Sequence, residues 1–546
     1  MKNPVKHIEL LDYIRAIAIL AVMFDHTLTN VYGYETLPWM GWFRDFSAPI
    51  SLVYLFPLNL GQLGVAIFFF VSGFCIHLSF KQQGQKWRGF FIRRLFRIYP
   101  AYFVALTFFT LFFLQQAHLS LHNQQVVTRY TLEVPPSARL FYIQWWTHLF
   151  LVHNINPLTF SGITGAFWSL AVEAQLYLIY PALVWLVAKF EWRRTMIILA
   201  ACEILIRGAD GVTQTMDATD TNSGIILGIL ARSPFGYWFS WALGAFVADA
   251  FLKNQPLPFR KTSLFWWAVL ALLCYVVKPL YPFCFLLFAL ITAIVASKLL
   301  SGLKPEIKVP AFFLKALGKI GLWSYSIYLI HQPLLNAYSN GIGWLIPEQY
   351  RSISLAFFVI LVCWLLIVPF SVLWYKLFEL PGIAMGKRII RKIDSRNAAM
   401  FEPQRLRENS RRRSLVFCLL IAAFLIFAIG SLWVNAKLKP VAVESNDLAW
   451  SLATSPQAAN RNGALAVKLA EEACQETQFQ QTVMVGTLAA AYAEAGRFDE
   501  AVLSAQRAIA LASQSGNQQL LEKNQELLDL YLKHQPYHES QTGANK

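Results

Sequence analysis

The sequence predicts an all-α protein: a polytopic membrane helix bundle of about ten transmembrane helices plus one extra, with a small α-helical repeat domain at the C-terminus. Two observations carry this. Hydrophobic residues make up 56% of the 546 and charged residues only 14%, where a soluble chain carries about a quarter charged, so most of this one is solvated by lipid. The character then changes at residue 441, beyond which twelve acids face seven Lys or Arg, so a net of minus five follows a segment of plus twenty-one.

Apolar runs near the length that crosses a bilayer occur at 10–31, 60–80, 98–116, 167–188, 195–207, 233–252, 262–278, 281–300, 312–335, 352–376 and 414–434, the fifth and seventh being short. Loop charge orients them. Residues 81–97 hold six Lys or Arg and no acid, and 387–413 hold ten against three acids. Both are expected on the cytoplasmic side, and the eight spans between them agree with that. The basic excess therefore reflects topology, and no nucleic-acid partner is expected. The N-terminus is expected in the cytoplasm, uncleaved, since Glu9 and Asp12 interrupt its weak positive lead and no small-residue cleavage site follows.

The loops 32–59, 117–166 and 208–232 then fall on the far side, rich in Trp, Tyr and Pro. Within them, 141–166 is broken by Asn, Pro and Gly and is expected to be an interfacial or re-entrant helix. The expected divisions are a membrane domain at 1–385, a basic cytoplasmic linker at 386–413, an extra span at 414–434 and an extracytoplasmic domain at 441–546. In that last domain Ala466, Ala470 and Ala473 recur as Ala501, Ala505 and Ala508, an offset of 35. This is close to a tetratricopeptide period, with a generic helical hairpin as the alternative.

Seven scattered cysteines with no C-x-x-C argue against a disulfide framework or a zinc site, and no metal is expected. Walker, G-x-G-x-x-G, H-E-x-x-H and G-x-S-x-G patterns are missing. Chemistry is left to intramembrane polar residues. Arg15 and His26 are eleven residues apart in the first span, which brings them to one helical face about 16 Å apart. Charged and titratable groups are costly in hydrocarbon and mark a polar path. A neutral imidazole is the usual general base for acyl transfer, and an Arg suits a phosphate or carboxylate. The adjacent Asp25 points about 100° away.

Glu173, in FWSLAVEAQLYLIYP, needs a proton or a cation, with Arg15 or a protonated His as the expected partner. Arg94 and Arg97 share a face at spacing three. They suit a phosphorylated ligand, or serve as positive-inside anchors. Gly61, Gly64, Ser72 and Gly73 are small enough for close helix approach, and Ser72 is also a candidate substrate-binding residue. His331, in SYSIYLIHQPLL with Tyr325 and Tyr328, is a second intramembrane histidine that read alone is a core residue.

Taken in order, LDYIRAIAILAVMFDH, GVAIFFFVSGF, RRLFRIYP, FWSLAVEAQLYLIYP and GLWSYSIYLIHQPLL resemble the acyltransferase-3 family of integral membrane acyltransferases, over roughly residues 8–385. The resemblance implies an acyl-CoA donor, expected to be acetyl-CoA, taken from the cytoplasm as a co-substrate. No bound cofactor is implied, and the acyl group goes to a hydroxyl of an extracytoplasmic glycan or lipid-linked acceptor. It implies a site built on Arg15 and His26, donor binding by Arg94 and Arg97, and unassigned contributions from Glu173, Tyr325 and His331. Some family members carry an SGNH-type esterase domain after an eleventh span. This chain has the span without a Gly-Asp-Ser motif, so its repeats are expected to dock a partner protein or act as a spacer. The rival functions are a transporter of a glycan, lipid or organic anion and, last, a membrane scaffold presenting the repeats.

Overall fold

The computed structural model describes residues 8–32, 60–84, 86–122, 138–155, 157–160, 163–215, 222–302, 310–345, 353–398, 445–477, 479–515 and 517–539. The expected span at 414–434, the loop 33–59 and the linker beyond residue 398 lie outside them. Among the described residues there are helices and no strands, and the membrane part is an all-α helix bundle. Its helices are α1 (Glu9–Tyr32), α2 (Gly61–Gln82), α3 (Trp87–His122), α4 (Ala138–Leu149), α5 (Phe167–Thr215), α6 (Asn222–Arg232), α7 (Trp238–Leu252), α8 (Leu264–Val276), α9 (Cys284–Leu300), α10 (Ala311–Leu345), α11 (Ile353–Trp374) and α12 (Leu380–Ala398). The described parts of five helical stretches are long and apolar enough to cross a membrane, among them α2, α5 and the one from Lys278 to Leu300.

Several boundaries differ from the hydropathy reading. The two expected spans at 167–188 and 195–207 are the arms of α5, which folds at Glu191 (φ 60°, ψ 168°). Trp168 and Arg207, from opposite arms, both pack on Tyr237. Tyr180 and Trp192 both reach His77, so the arms run antiparallel. The basic stretch 81–97 is mostly helix, since α3 begins at Trp87 and continues through Pro100. Similarly the linker expected from residue 386 begins inside α12. With 13 residues, α8 is about 20 Å long at 1.5 Å per residue, short for a crossing. In the expected interfacial segment, α4 has 12 residues and is followed by single helical turns at His153–Ile155 and Pro157–Phe160.

Backbone-to-backbone approach organises the bundle, because lipid supplies no hydrophobic drive for helix association and close packing must supply it. A Cβ on Gly244 of α7 would lie 1.9 Å from the Phe70 carbonyl oxygen of α2, and one on Gly73 would lie 2.1 Å from that of Trp241. The central helix α1 is held from two sides. A Cβ on Gly64 of α2 would lie 2.6 Å from the Ala18 carbonyl oxygen, and one on Gly321 of α10 would lie 1.9 Å from that of Asp12. Hydrogen bonds on α1 run from Arg15 to Cys75 and from Gly61 to Asp25, so α1 and α2 are antiparallel.

The C-terminal region forms helices at 445–454 (α13), Gly463–Glu476 (α14), Thr482–Glu494 (α15), Phe498–Ser515 (α16) and Gln518–Tyr531 (α17). Asn462 and Asn517 cap α14 and α17 by accepting from the N–H three residues on. The recurrent Ala466, Ala470, Ala473, Ala501, Ala505 and Ala508 are all fully buried, and their methyl groups let successive helices pack at short range. Cys474 lies in the same core, and burial pushes its thiol up to about 12.

Two outcomes are expected. Gly244→Val, which puts side-chain atoms where the Phe70 carbonyl stands, should lower the thermal midpoint of the detergent-solubilised protein sharply. Gly208→Ala, whose nearest neighbour is Phe283 at 3.5 Å, should leave it nearly unchanged. In peptide mapping after maleimide treatment at pH 8, Cys474 should remain unlabelled in the folded protein, since the thiolate is the reacting form, and become labelled on denaturation.

Candidate active site

Residues from α1, α2, α3, α5 and α10 line a partly open cavity of about 110 Å³. Arg15, Ser72, Arg94, Arg97, Glu173 and Tyr325 all line it, with Cys75, Tyr177 and Tyr328 among their neighbours. Six of the eight candidate residues thus share one chamber. The other two, His26 and His331, are paired with each other instead.

The three guanidinium groups of the chamber are held differently. Arg15 donates to Asp12 Oδ1 at 2.8 Å and to Cys75 Sγ at 3.0 Å, keeping 27% of its side chain exposed. Arg97 is bound to Glu379, whose other oxygen accepts from Ser326 Oγ at 2.6 Å. Glu379 is fully buried and lies in a wide π-turn, Tyr375–Glu379, between α11 and α12. Such turns insert one residue into the helical register and can redirect a side chain inward. Arg94 has no carboxylate partner among the described residues. It lies over the rings of Phe90 and Tyr177 at 5.8 and 5.9 Å, and its buried Nε has no hydrogen-bond partner.

Among the described residues Glu173 makes no salt bridge with the expected Arg15 or a histidine, although its charge acts on the Arg15 guanidinium across the shared chamber. It accepts from Tyr177 one helical turn on. The indole N–H of Trp241 donates to Ser72 Oγ at 3.2 Å, and Ser72 and Tyr177 are hydrogen-bonded at 3.2 Å. An indole nitrogen only donates and Tyr177 gives its single proton to Glu173, so Ser72 donates to Tyr177. The donors run one way, from Trp241 through Ser72 and Tyr177 to Glu173. Tyr325 donates to the Ile98 carbonyl at 2.8 Å and lies 5.8 Å from the Arg97 guanidinium, tying α10 to α3.

Along α1 from Arg15, His26 Nδ1 is 2.8 Å from His331 Nε2, and the rings are nearly parallel at 8°. Chemistry fixes the protons. His331 Nδ1 lies 2.8 Å from the Tyr328 carbonyl and 3.2 Å from that of Ile327. Carbonyls only accept, so Nδ1 carries the proton and, in the neutral ring, Nε2 is the acceptor. His26 must then donate from Nδ1, leaving the lone pair on its own Nε2. This is the logic by which a carboxylate orients the histidine of a serine-hydrolase triad, with a neutral imidazole in the orienting place. Asp25 does not take that role, for its Oδ1 accepts the Gly61 amide at 3.2 Å and caps α2. Tyr328 links the two places. It lines the cavity, its ring is 5.5 Å from that of His331, and its hydroxyl donates to the Ala166 carbonyl while accepting from Ser169.

Sequence reasoning passed over Asp12, Tyr177 and Glu379. The first two stood at helical spacings of three and four from Arg15 and Glu173, a readable pairing signal. Nothing local tied Glu379 to Arg97, 282 residues away.

An all-α helix bundle with three arginines on one chamber and a hydrogen-bonded histidine pair beside it defines a class of integral membrane proteins with polar groups gathered inside the bundle. Within that class, the model of the acyltransferase-3 family, described as an acyltransferase domain, matches residues 8–374, and the chain belongs to this family. It is similar to the peptidoglycan O-acetyltransferase OatA of Listeria monocytogenes, 26% identical over 373 residues, 64% of this chain and 52% of that one. Nodulation protein 10 of Rhizobium leguminosarum is 26% identical over 263 residues, 47% of this chain and 63% of that one. The O-acetyltransferase OatA of Staphylococcus aureus is 25% identical over 336 residues, 56% of this chain and 52% of that one. The match thus spans about half to two thirds of these relatives' length. No solved structure matches.

The two paired arginines should separate from the third in stability. Arg97→Ala leaves the buried Glu379 carboxylate with only the Ser326 hydroxyl as partner, and thermal unfolding should register a midpoint lowered by several degrees. Arg94→Ala should leave the midpoint within a few degrees of wild type.

Proposed function

We propose that the chain is a membrane O-acyltransferase. It takes an acyl group, acetyl by preference, from acyl-CoA on the cytoplasmic side and transfers it to a hydroxyl of an extracytoplasmic glycan or lipid-linked acceptor. The observation that carries the reading is the His26–His331 hydrogen bond, which supports a proton-accepting role for His26 on the same helix that supplies Arg15 to the arginine-lined chamber. Family membership and relatives named as O-acetyltransferases support the reaction class.

The N-terminus lies in the cytoplasm, and the C-terminal region on the far side of a bacterial inner membrane. CoA phosphates bind in the chamber, where Arg94 supplies the guanidinium not already bound to a carboxylate. Arg15 and Arg97 add positive potential while held in place by Asp12 and Glu379. The thioester reaches past Tyr328 toward His26. His26 Nε2 takes the acceptor hydroxyl proton as its oxygen attacks the thioester carbon. The carbon–sulfur bond breaks, and the proton passes to the departing CoA thiolate. The imidazolium formed in between keeps its Nδ1–H bond to His331. Eleven helical residues put Arg15 about 16 Å from His26, so Arg15 serves the donor rather than the oxyanion, and Glu173 holds Tyr177 against Arg94.

Vesicles given radiolabelled acetyl-CoA and extracted glycans and lipids test the reading. His26→Ala should lose about 10²- to 10⁴-fold in transfer. Labelling equal to wild type at matched abundance sinks the assignment. Arg94→Ala should raise KM for acetyl-CoA with little change in kcat. His331→Ala should lower kcat with KM unchanged, and His331→Gln, which returns an acceptor near the Nε2 position, should recover part of it.

A further inference from the structure

The chamber has two unlike ends. At one, Arg15 donates to Cys75 of α2 and Arg94 lies over the Tyr177 ring of α5. Passing along the lining from Cys75 to Phe68 on α2, from Tyr177 to Ser169 on α5 and from Tyr325 to Tyr328 on α10 leads in each case to the other end. There the wall is aromatic. The Phe68 ring meets that of Tyr328 edge-on, 5.9 Å between centroids and 75° between planes. The His331 ring stands 5.5 Å from that of Tyr328, yet neither His331 nor His26 is among the described residues that line the chamber. Tyr328 therefore stands between the chamber and the histidine pair.

This tyrosine is held through both its side chain and its backbone. Its hydroxyl donates to the Ala166 carbonyl at 2.6 Å and accepts from Ser169 Oγ at 2.5 Å, both at the N-terminal end of α5. A phenol has one proton to give, and with an acceptor and a donor both engaged the ring is fixed in angle as well as in place. Its backbone carbonyl accepts from His331 Nδ1 at 2.8 Å, the bond that sets the protons of the histidine pair. One residue thus closes the chamber and orients the groups beyond it.

Such a closure answers a chemical difficulty. A base that takes a proton from an acceptor hydroxyl takes one equally well from water, since both present the same O–H group. In that side reaction the water oxygen attacks the thioester carbon and the carbon–sulfur bond breaks. The proton taken by His26 passes to the CoA thiolate, leaving the free acid and CoA. The imidazole has no means of telling the two nucleophiles apart, so selectivity for the hydroxyl has to come from when the thioester is admitted to it. Gates that complete a site only once the proper substrate is bound work in this way.

Resting on the acyltransferase reading, we propose that Tyr328 is a gate between the donor chamber and His26, latched by Ser169 and Ala166 and opened by binding of the acceptor. It is a specificity-determining residue of the reaction, favouring a hydroxyl over water by withholding the thioester from the base until the acceptor is seated.

The test follows CoA release from acetyl-CoA by the detergent-solubilised full chain without acceptor, beside label transfer to extracted glycans and lipids. Tyr328→Phe keeps the ring and removes the latch, and Ser169→Ala removes one of its two bonds. Each should release CoA about three- to tenfold faster than wild type, the factor that a neutral hydrogen bond carries, and the ratio of release to transfer should rise. Adding His26→Ala should abolish the gain. Where Tyr328→Phe lowers the thermal midpoint, Ser169→Ala decides. Transfer by the wild type with release unchanged in the variants overturns the gate alone. Faster release that survives His26→Ala overturns it as well, because the leak then bypasses the base. No transfer by the wild type overturns the acyltransferase reading and the gate with it.

Discussion

The contact on which the membrane domain depends is the approach of the α1 backbone to α2 and α10 at Gly64 and Gly321. A Cβ at either glycine would overlap a carbonyl oxygen of α1. That proximity lets a short cysteine side chain reach Arg15, puts Ser324, Tyr325 and Tyr328 of α10 on the same chamber as Arg15, and brings His331 to His26. In a lipid environment such packing contributes much of helix association. The residues that permit the fold are therefore also the ones that assemble the site.

Burial then sorts the polar groups. Buried charges are tolerated when paired and hydrogen-bonded, and Arg15 with Asp12 and Arg97 with Glu379 meet that condition within the protein. Arg94 meets it only in part, through aromatic rings. The directional relay from Trp241 to Glu173 fixes Tyr177 beneath it. The result is a rigid, mostly satisfied frame around one underused cation. Phosphate binding makes use of that kind of inequality, since a guanidinium already committed to a carboxylate has less to offer a ligand.

The C-terminal region follows different rules. Its core is built of alanine methyl groups at helical spacing, so the packing is regular and the exposed faces carry the individuality. Residues 535–539 pack on those faces, against a tryptophan, a lysine and a glutamate on three different helices.

Composition and periodicity were enough to read the all-α class, most helices, the small-residue positions on α2 and the change of character at residue 441. These are local properties, set by the cost of exposing polar backbone to lipid and by the period of a helix. The shared face of Arg15 and His26 was legible for the same reason. That the two stand in different surroundings followed only from their partners on α2 and α10. Partnership across more than 300 residues, as between His26 and His331, has no local signal, because it depends on which backbones can touch. Tertiary structure likewise decided the reversal of α5 at Glu191, the inward turn of Glu379 and the tautomer of His26. Each is a consequence of packing that a one-dimensional pattern does not encode.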